Sequence, residues 1–372
     1  MGPLSGLRFV EIAGIGPGQL CGMLLADMGA DLVRIVRPGA AWPAIPDEFN
    51  LMNRGRGAVT ADLKTPRGRN LVLRLCGDAD ALFEGFRPGV MEKLGLGPDD
   101  CMARNPRLVY GRMTGWGQDG PLAHTAGHDA NYIALAGALH CIGERGRPPP
   151  LPLNLVGDFG GGALYLAMGL LAALLEAGRS GQGQVVDTAM TDGVASMLTM
   201  FHGLRAAGLW CDEREANLLD GGAPFARCYE TRDGGWMAVC ALEPPFFAAL
   251  LSALGVTGVD PADQYDRRRW PELERLLAAA FRGRTRDEWA ERLNGTETCA
   301  TPVLSLSQAT EHPHNRARRT FVDVDGVRQP APAPRFSRTP GAIRHGPRKP
   351  DADPQAILAS WGLSAEEIGK LL

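Results

Sequence analysis

Two stretches carry residue types suited to moving protons. In "AGHDANYIALAG", His128 and Asp129 stand at the predicted start of a helix, and imidazole is the side chain best matched to proton transfer near neutral pH. In "NLVGDFGGGALYLAMGLL", Asp158 directly precedes a glycine-rich helix start. Capping alone accounts for an aspartate there. The same geometry has a chemical reading: positive potential at a helix N-terminus favours a carboxylate, and unobstructed N–H groups at Gly160, Gly161 and Gly162 are suited to a developing oxyanion. Glu243, in "ALEPPFF", either orients a histidine or caps the helix that begins at Pro244–Pro245. His312 and His314 lack a third ligand nearby, so no metal site is expected. Neither a G-x-S-x-G elbow nor a G-x-x-x-x-G-K-[ST] loop is present.

A second set of residues is suited to phosphate. After the apolar run Leu7–Ile12 come Gly14, Gly16 and Gly18, then a helical stretch and another apolar run, Asp31–Val36, ending in Arg37. A dinucleotide fingerprint requires G-x-G-x-x-G and an acid about 20 residues on. Here Gln19 breaks the glycine pattern and the second strand carries Arg34 and Arg37 where the acid belongs. Nicotinamide chemistry without an extra phosphate is disfavoured; NADP and coenzyme A both remain. Arg54, Arg56 and Lys64, then Arg87 and Lys93, follow further strand-like runs, and arginine forks match phosphate well.

These residues need a scaffold, and the first half of the chain alternates apolar strands with helices, which predicts a parallel sheet with its ligand edge at the strand ends. The texture changes near Pro224. "ARCYETRDGGWMAVCAL" reads as a hairpin followed by helices, a smaller α+β domain. Six prolines between 328 and 350 predict an extended strap, and residues 351–372 a terminal helix packed on the large domain. The expected organisation is a large α/β domain over 1–198, a linker over 199–223, a small domain over 224–310, a strap over 311–350 and the terminal helix. With 372 residues, 45% hydrophobic and 22% charged, and a net charge of −3, the composition is globular and gives no overall basic field for nucleic acid. The apolar stretch Ala163–Ala177 is shorter than the ~20 residues of a membrane span, and no signal peptide or Ser-Lys-Leu address is visible. Eight scattered cysteines without a C-x-x-C pair predict reduced, mostly buried thiols in a cytoplasmic protein.

Taken in order, "GPLSGLRFVEIAGIGPG", "GADLVRIVRPG", "VTADLK", "RPGVMEKLGLGP", "RMTGWGQDGP", "AGHDANYIALAGALHCIG", "PLNLVGDFGGG", "GQVVDTAMTDG", "NLLDGGAPF", "ALEPPFF", "CATPVL" and "PAPRFSRTP" make the chain resemble the alpha-methylacyl-CoA racemases of the family III CoA-transferase (CaiB/BaiF) superfamily. The resemblance runs almost end to end. It implies an isomerase of lipid metabolism that interconverts 2-methylacyl-CoA epimers, with His128 and Asp158 as the proton-transfer pair and Glu243 supporting the histidine from a partner subunit. It also implies coenzyme A contacts at Arg37, Ala61, Asp62, Leu63, Lys64, Gly85, Phe86, Arg87, Lys93 and the loop Gly127, His128, Asp129, Ala130, Asn131 and Tyr132. The implied assembly is an interlocked homodimer, with a Rossmann-like large domain and a smaller α+β domain in each subunit. Coenzyme A is part of the substrate, and no cofactor, metal, membrane or nucleic acid is called for. Phe86 stands where relatives often carry Tyr, and Gly57 replaces a basic residue common before "VTADLK". A family III CoA-transferase with Asp158 as nucleophile is the alternative; His128, which such transferases generally lack, speaks against it.

Overall fold

A computed structural model describes residues 2–39 and 45–372 and divides the chain into two compact units, one of 1–136, 152–197 and 314–372, the other of 137–151 and 198–313. In the first, strands β1 (Arg8–Ile12), β2 (Asp31–Val36), β3 (Gly57–Thr60), β4 (Ala81–Glu84), β5 (Val109–Thr114) and β6 (Val185–Ala189) form one parallel sheet in the order β3-β2-β1-β4-β5-β6. Successive residues of a strand point to opposite faces, and each face has its own core. Val10, Val33, Leu82 and Tyr110 pack into one cluster. Phe9, Leu32, Ala81, Phe83 and Val109, each one residue away, pack into the other. Burial on both faces explains why these strands read as continuous apolar runs instead of alternating ones.

Helices α1 (Pro17–Asp27), α2 (Pro66–Cys76), α3 (Val90–Lys93) and α4 (Pro98–Met102) lie between the early strands, and α5 (Asp129–Leu135) follows β5. A π-helical segment, Leu155–Leu164, runs directly into α6 (Tyr165–Ser180), and α7 (Met190–Met197) follows β6. The helix from Leu155 to Ser180 thus has 26 residues, not the 15 of its most apolar stretch, and is long and apolar enough to span a bilayer by length and composition. One face of it, through Leu166, Ala167, Leu170, Ala173 and Ala177, fills the second core cluster instead.

The C-terminal region is more structured than an extended strap. β10 (Phe321–Val324) and β11 (Val327–Pro330) pair as an antiparallel hairpin turning at Asp325–Gly326, which has positive φ at both residues. The end of the chain is two helices, α14 (Pro354–Ser360) and α15 (Ala365–Leu371), the second opened by a capping box between Ser364 and Glu367. Leu358, Trp361, Leu363 and Ile368 bury into the first core cluster beside Leu71 and Leu75. Gly57 fits this arrangement, because a Cβ added there would lie 2.9 Å from Ile357 Cγ1.

The second unit contains α8 (Thr199–Ala206), within the stretch expected as linker, and an antiparallel sheet of β7 (Ala226–Glu230), β8 (Trp236–Cys240) and β9 (Ala300–Pro302). Helices α9 (Pro244–Leu254), α10 (Trp270–Phe281) and α11 (Arg286–Leu293) cover it around Phe225, Phe247, Trp270, Phe281 and Trp289. The short helices α12 (Leu306–Glu311) and α13 (Pro313–Ala317) lead out of the unit. The eight cysteines are all free, but only Cys21, Cys76 and Cys101 are buried; Cys211, Cys228, Cys240 and Cys299 are exposed. The expectation of mostly buried thiols therefore fails, and the exposed four all lie in the second unit.

Candidate active site

Parallel strands bring their carboxyl ends to one edge, and the sheet order reverses between β1 and β4, where a crevice is expected. The turn after β1 holds Gly16 at φ 71°, the N-cap of α1. A Cβ on Gly16 would stand 2.9 Å from Asp158 Oδ2. The glycine thus serves two ends, a left-handed turn and the close approach of a carboxylate. In a dinucleotide fold that helix N-terminus faces pyrophosphate; here it faces Asp158.

Asp158 is not the cap of its helix. It lies inside the π-helical segment, whose N-cap is Asn154. Its N–H donates to Asp129 Oδ2 at 2.7 Å, and its Oδ2 accepts from Asn154 Nδ2 at 3.2 Å. Asp129 is buried, and Gly157 makes its approach possible, since a Cβ there would lie 2.5 Å from Asp129 Oδ2. Burial pushes the Asp158 carboxyl up from its ordinary value, Asn154 opposes this, the Asp129 charge adds to it, and His128 opposes it. That last influence places His128 within electrostatic reach of Asp158.

The expectation that Gly160, Gly161 and Gly162 present free N–H groups is corrected by the same segment. All three residues are inside the helix, past its first turn, where N–H groups pair along the helix itself. Their bareness serves packing: a Cβ on Gly161 would meet Val194 Cγ2 at 2.7 Å, and one on Gly193 of α7 would clash with the Gly161 carbonyl.

His128 is exposed at the N-cap of α5, its N–H donating to Asn131 Oδ1 at 3.0 Å. The loop before it is fixed by Tyr132, whose hydroxyl donates to the Gly127 carbonyl and whose ring meets Trp116 edge-on at 4.8 Å. Tyr132 is pushed up by burial and by the Asp158 charge, with Arg87 opposing, so Arg87 shares this neighbourhood. Glu243 belongs to the second unit, where it is exposed at the N-cap of α9 and makes no capping hydrogen bond with its side chain.

The residues expected to contact coenzyme A fall after successive strands: Arg37 after β2, Ala61–Lys64 after β3, Gly85–Arg87 after β4, and Lys93 closing α3. Arg37, Lys64, Arg87 and Lys93 are exposed and have no ion-pair partner among the described residues. The other basic residues grouped with them are differently used. Arg34 and Arg56 both pair with Glu11, and Arg54 pairs with Asp27 at 2.5 Å while donating to Gln329 and the Pro330 carbonyl, so these three hold the fold and are not available to phosphate.

Residues 4–353 match the sequence model of CoA-transferase family III. The chain belongs to that family. Among family III relatives, alpha-methylacyl-CoA racemase of Mus musculus is 44% identical over 371 residues, covering 99% of this chain and 96% of the relative. The Homo sapiens protein of the same name is 42% identical with the same coverage. Both names are those of an isomerase. A solved CAIB/BAIF family protein from Brucella suis superposes with a TM-score of 0.82 at 28% identity, covering 97% of this chain and 99% of that one.

Asn154, and Asp129 as the group that holds the Asp158 backbone, are site residues that no motif in the sequence marks. The available signal was spacing: Asn154 and Asp158 are four residues apart on a helix and so share a face.

Proposed function

We propose that this chain is an alpha-methylacyl-CoA racemase that interconverts (2R)- and (2S)-2-methylacyl-CoA thioesters. The observation that carries the reading is the placement of Asp158, half-buried beside the β1 turn and within electrostatic reach of His128, at the carboxyl edge of the sheet. The names of the two mammalian relatives support it.

Two bases, one on each face of the α-carbon, can racemise it, one taking a proton and the other giving one. Neutral His128 removes the α-proton, the electron pair of that C–H bond passes to the thioester oxygen as an enolate, and protonated Asp158 returns a proton to the opposite face. The roles reverse for the other epimer. Burial raises the affinity of Asp158 for its proton, and the positive charge that His128 gains opposes this and favours release. Coenzyme A is carried by the substrate, its phosphates meeting Arg37, Lys64, Arg87 and Lys93, with Glu243 of the partner subunit supporting His128. The exposed apolar face of the Leu155–Ser180 helix (Leu164, Met168 and Leu175) is a surface suited to a second copy in a homodimer. A cytoplasmic location, with neither metal nor redox cofactor in the reaction, completes the proposal.

Incubating one epimer of a 2-methylacyl-CoA in deuterated water is expected to give the other epimer carrying deuterium at the α-carbon. Transfer of CoA to an added free acid without exchange would instead make Asp158 the nucleophile of a CoA-transferase. The pair holds one proton in either direction, so both directions share one bell-shaped pH profile. Its acid limb belongs to Asp158 and should stand above the ordinary carboxyl range, activity being lost as pH falls through the raised value. Asp129→Asn removes a charge that raises it and is expected to move this limb down in a kcat/KM profile.

A further inference from the structure

Beneath the loop Gly85–Arg87 lies a buried ionic chain that the proton-transfer chemistry does not use. Glu84, the last residue of β4, is 2% exposed. Its Oε2 accepts the Phe86 N–H at 2.6 Å, so the carboxylate holds the loop two residues downstream of itself. Its Oε1 faces Arg112 Nε of β5 at 3.3 Å, and neither atom has a hydrogen bond elsewhere. Arg112 in turn forks onto Glu92 of α3, Nη1 to Oε1 at 2.7 Å and Nη2 to Oε2 at 3.2 Å. Glu92 directly precedes Lys93. One chain of contacts thus joins the end of β4, the adjacent strand and the short helix, and each of its two outer ends carries a free cation, Arg87 and Lys93.

We propose that Glu84 and Arg112 are positioning residues for the anion-binding loop, fixing the Gly85–Arg87 backbone and the Lys93 turn so that both cations meet the phosphates of a coenzyme A thioester. This rests on the proposed function. A charged acceptor is the stronger partner for a backbone N–H, but a lone buried carboxylate is costly; Arg112 balances that cost, and Glu92 keeps Arg112 from swinging away. Burial still raises the Glu84 carboxyl to about 7, against the Phe86 N–H and Arg112, with the Glu92 charge adding to the rise. The joint is therefore held by the backbone bond and by packing as well as by charge, and an uncharged acceptor of the same shape should substitute.

The test compares a 2-methylacyl-CoA with the matching acyl-pantetheine thioester, which has the reacting carbon and lacks the phosphates. Glu84→Ala is expected to raise KM for the CoA ester about tenfold, the worth of a hydrogen bond to a charged group, with kcat and the pantetheine reaction little changed. Glu84→Gln should recover most of the loss. If Glu84→Ala does not fold, Glu84→Asp, which draws the acceptor back by one methylene, should show the same selective rise in KM. Equal losses on both thioesters, or none on either, would overturn the positioning role. Arg87→Ala, run beside them, reads the underlying assignment separately: if it leaves the wild-type preference for the CoA ester intact, this loop is not the phosphate site at all.

Discussion

Asp158→Asn is expected to lower epimerisation by about 10³-fold or more, the scale of a lost general acid–base group, while binding of the acyl-CoA stays within about twofold because no phosphate contact changes. Asparagine keeps the shape of the side chain and can still meet Asn154, so the π-helical turn and its bond from the Asp158 N–H to Asp129 remain. The informative measurement is exchange, not turnover. With His128 intact, one epimer still presents its α-hydrogen to the imidazole, which can remove it and return deuterium to the same face. That epimer should wash in solvent deuterium with retained configuration, and the other should be inert. His128→Ala should reverse the pattern, leaving exchange only in the epimer that faces Asp158. Equal residual exchange of both epimers in either variant would remove the assignment of one base to each face.

The sheet was legible because β1, β2, β4 and β5 are runs of four to six residues buried on both faces; in β6 only the last two residues are buried. β3 is four residues, Gly-Ala-Val-Thr, at the edge of the sheet, and carries too little pattern to stand out from its basic surroundings. Chemistry was harder to read than fold. Arg34, Arg54, Arg56, Lys64 and Arg87 look alike in a sequence, yet three of them sit inside the protein because acidic partners at positions 11 and 27, remote in the chain, face them across β1 and α1. The glycine run after Asp158 shows the same ambiguity. Bare backbone suits an oxyanion and suits close helix packing equally well, and only the approach of Gly193 and Val194 to Gly161 decides between them. Glu84 escaped notice for a related reason: its role depends on Arg112, 28 residues on, and on an N–H that no pattern reveals.

Glu11→Gln is expected to destabilise the first unit by about 3–5 kcal/mol, the usual cost of breaking a buried ion pair from one side. Glu11 is the next-to-last residue of β1 and is 1% exposed; its Oε1 meets Arg34 Nε at 3.1 Å, and its Oε2 meets Arg56 Nη1. One carboxylate thus pairs with two buried guanidinium groups, and α1 crosses directly above at Gly22, where any Cβ would run into Arg56. Burial lowers Arg56 to about 10, partly restored by Glu11, so it is still a cation at neutral pH. Glutamine can accept one of the two bonds but offers no charge, and two cations then remain in a dry space. Urea unfolding of the variant should show the midpoint falling with little change in slope, because the surface exposed on unfolding is the same. Replacing all three residues with leucine or methionine of similar volume should return much of the loss, since the cost lies in unpaired charge and not in the absence of attraction. A Glu11→Gln variant as stable as the wild type would mean that solvent reaches Arg34 and Arg56, and would remove the reason for treating them as distinct from the exposed cations at the strand ends.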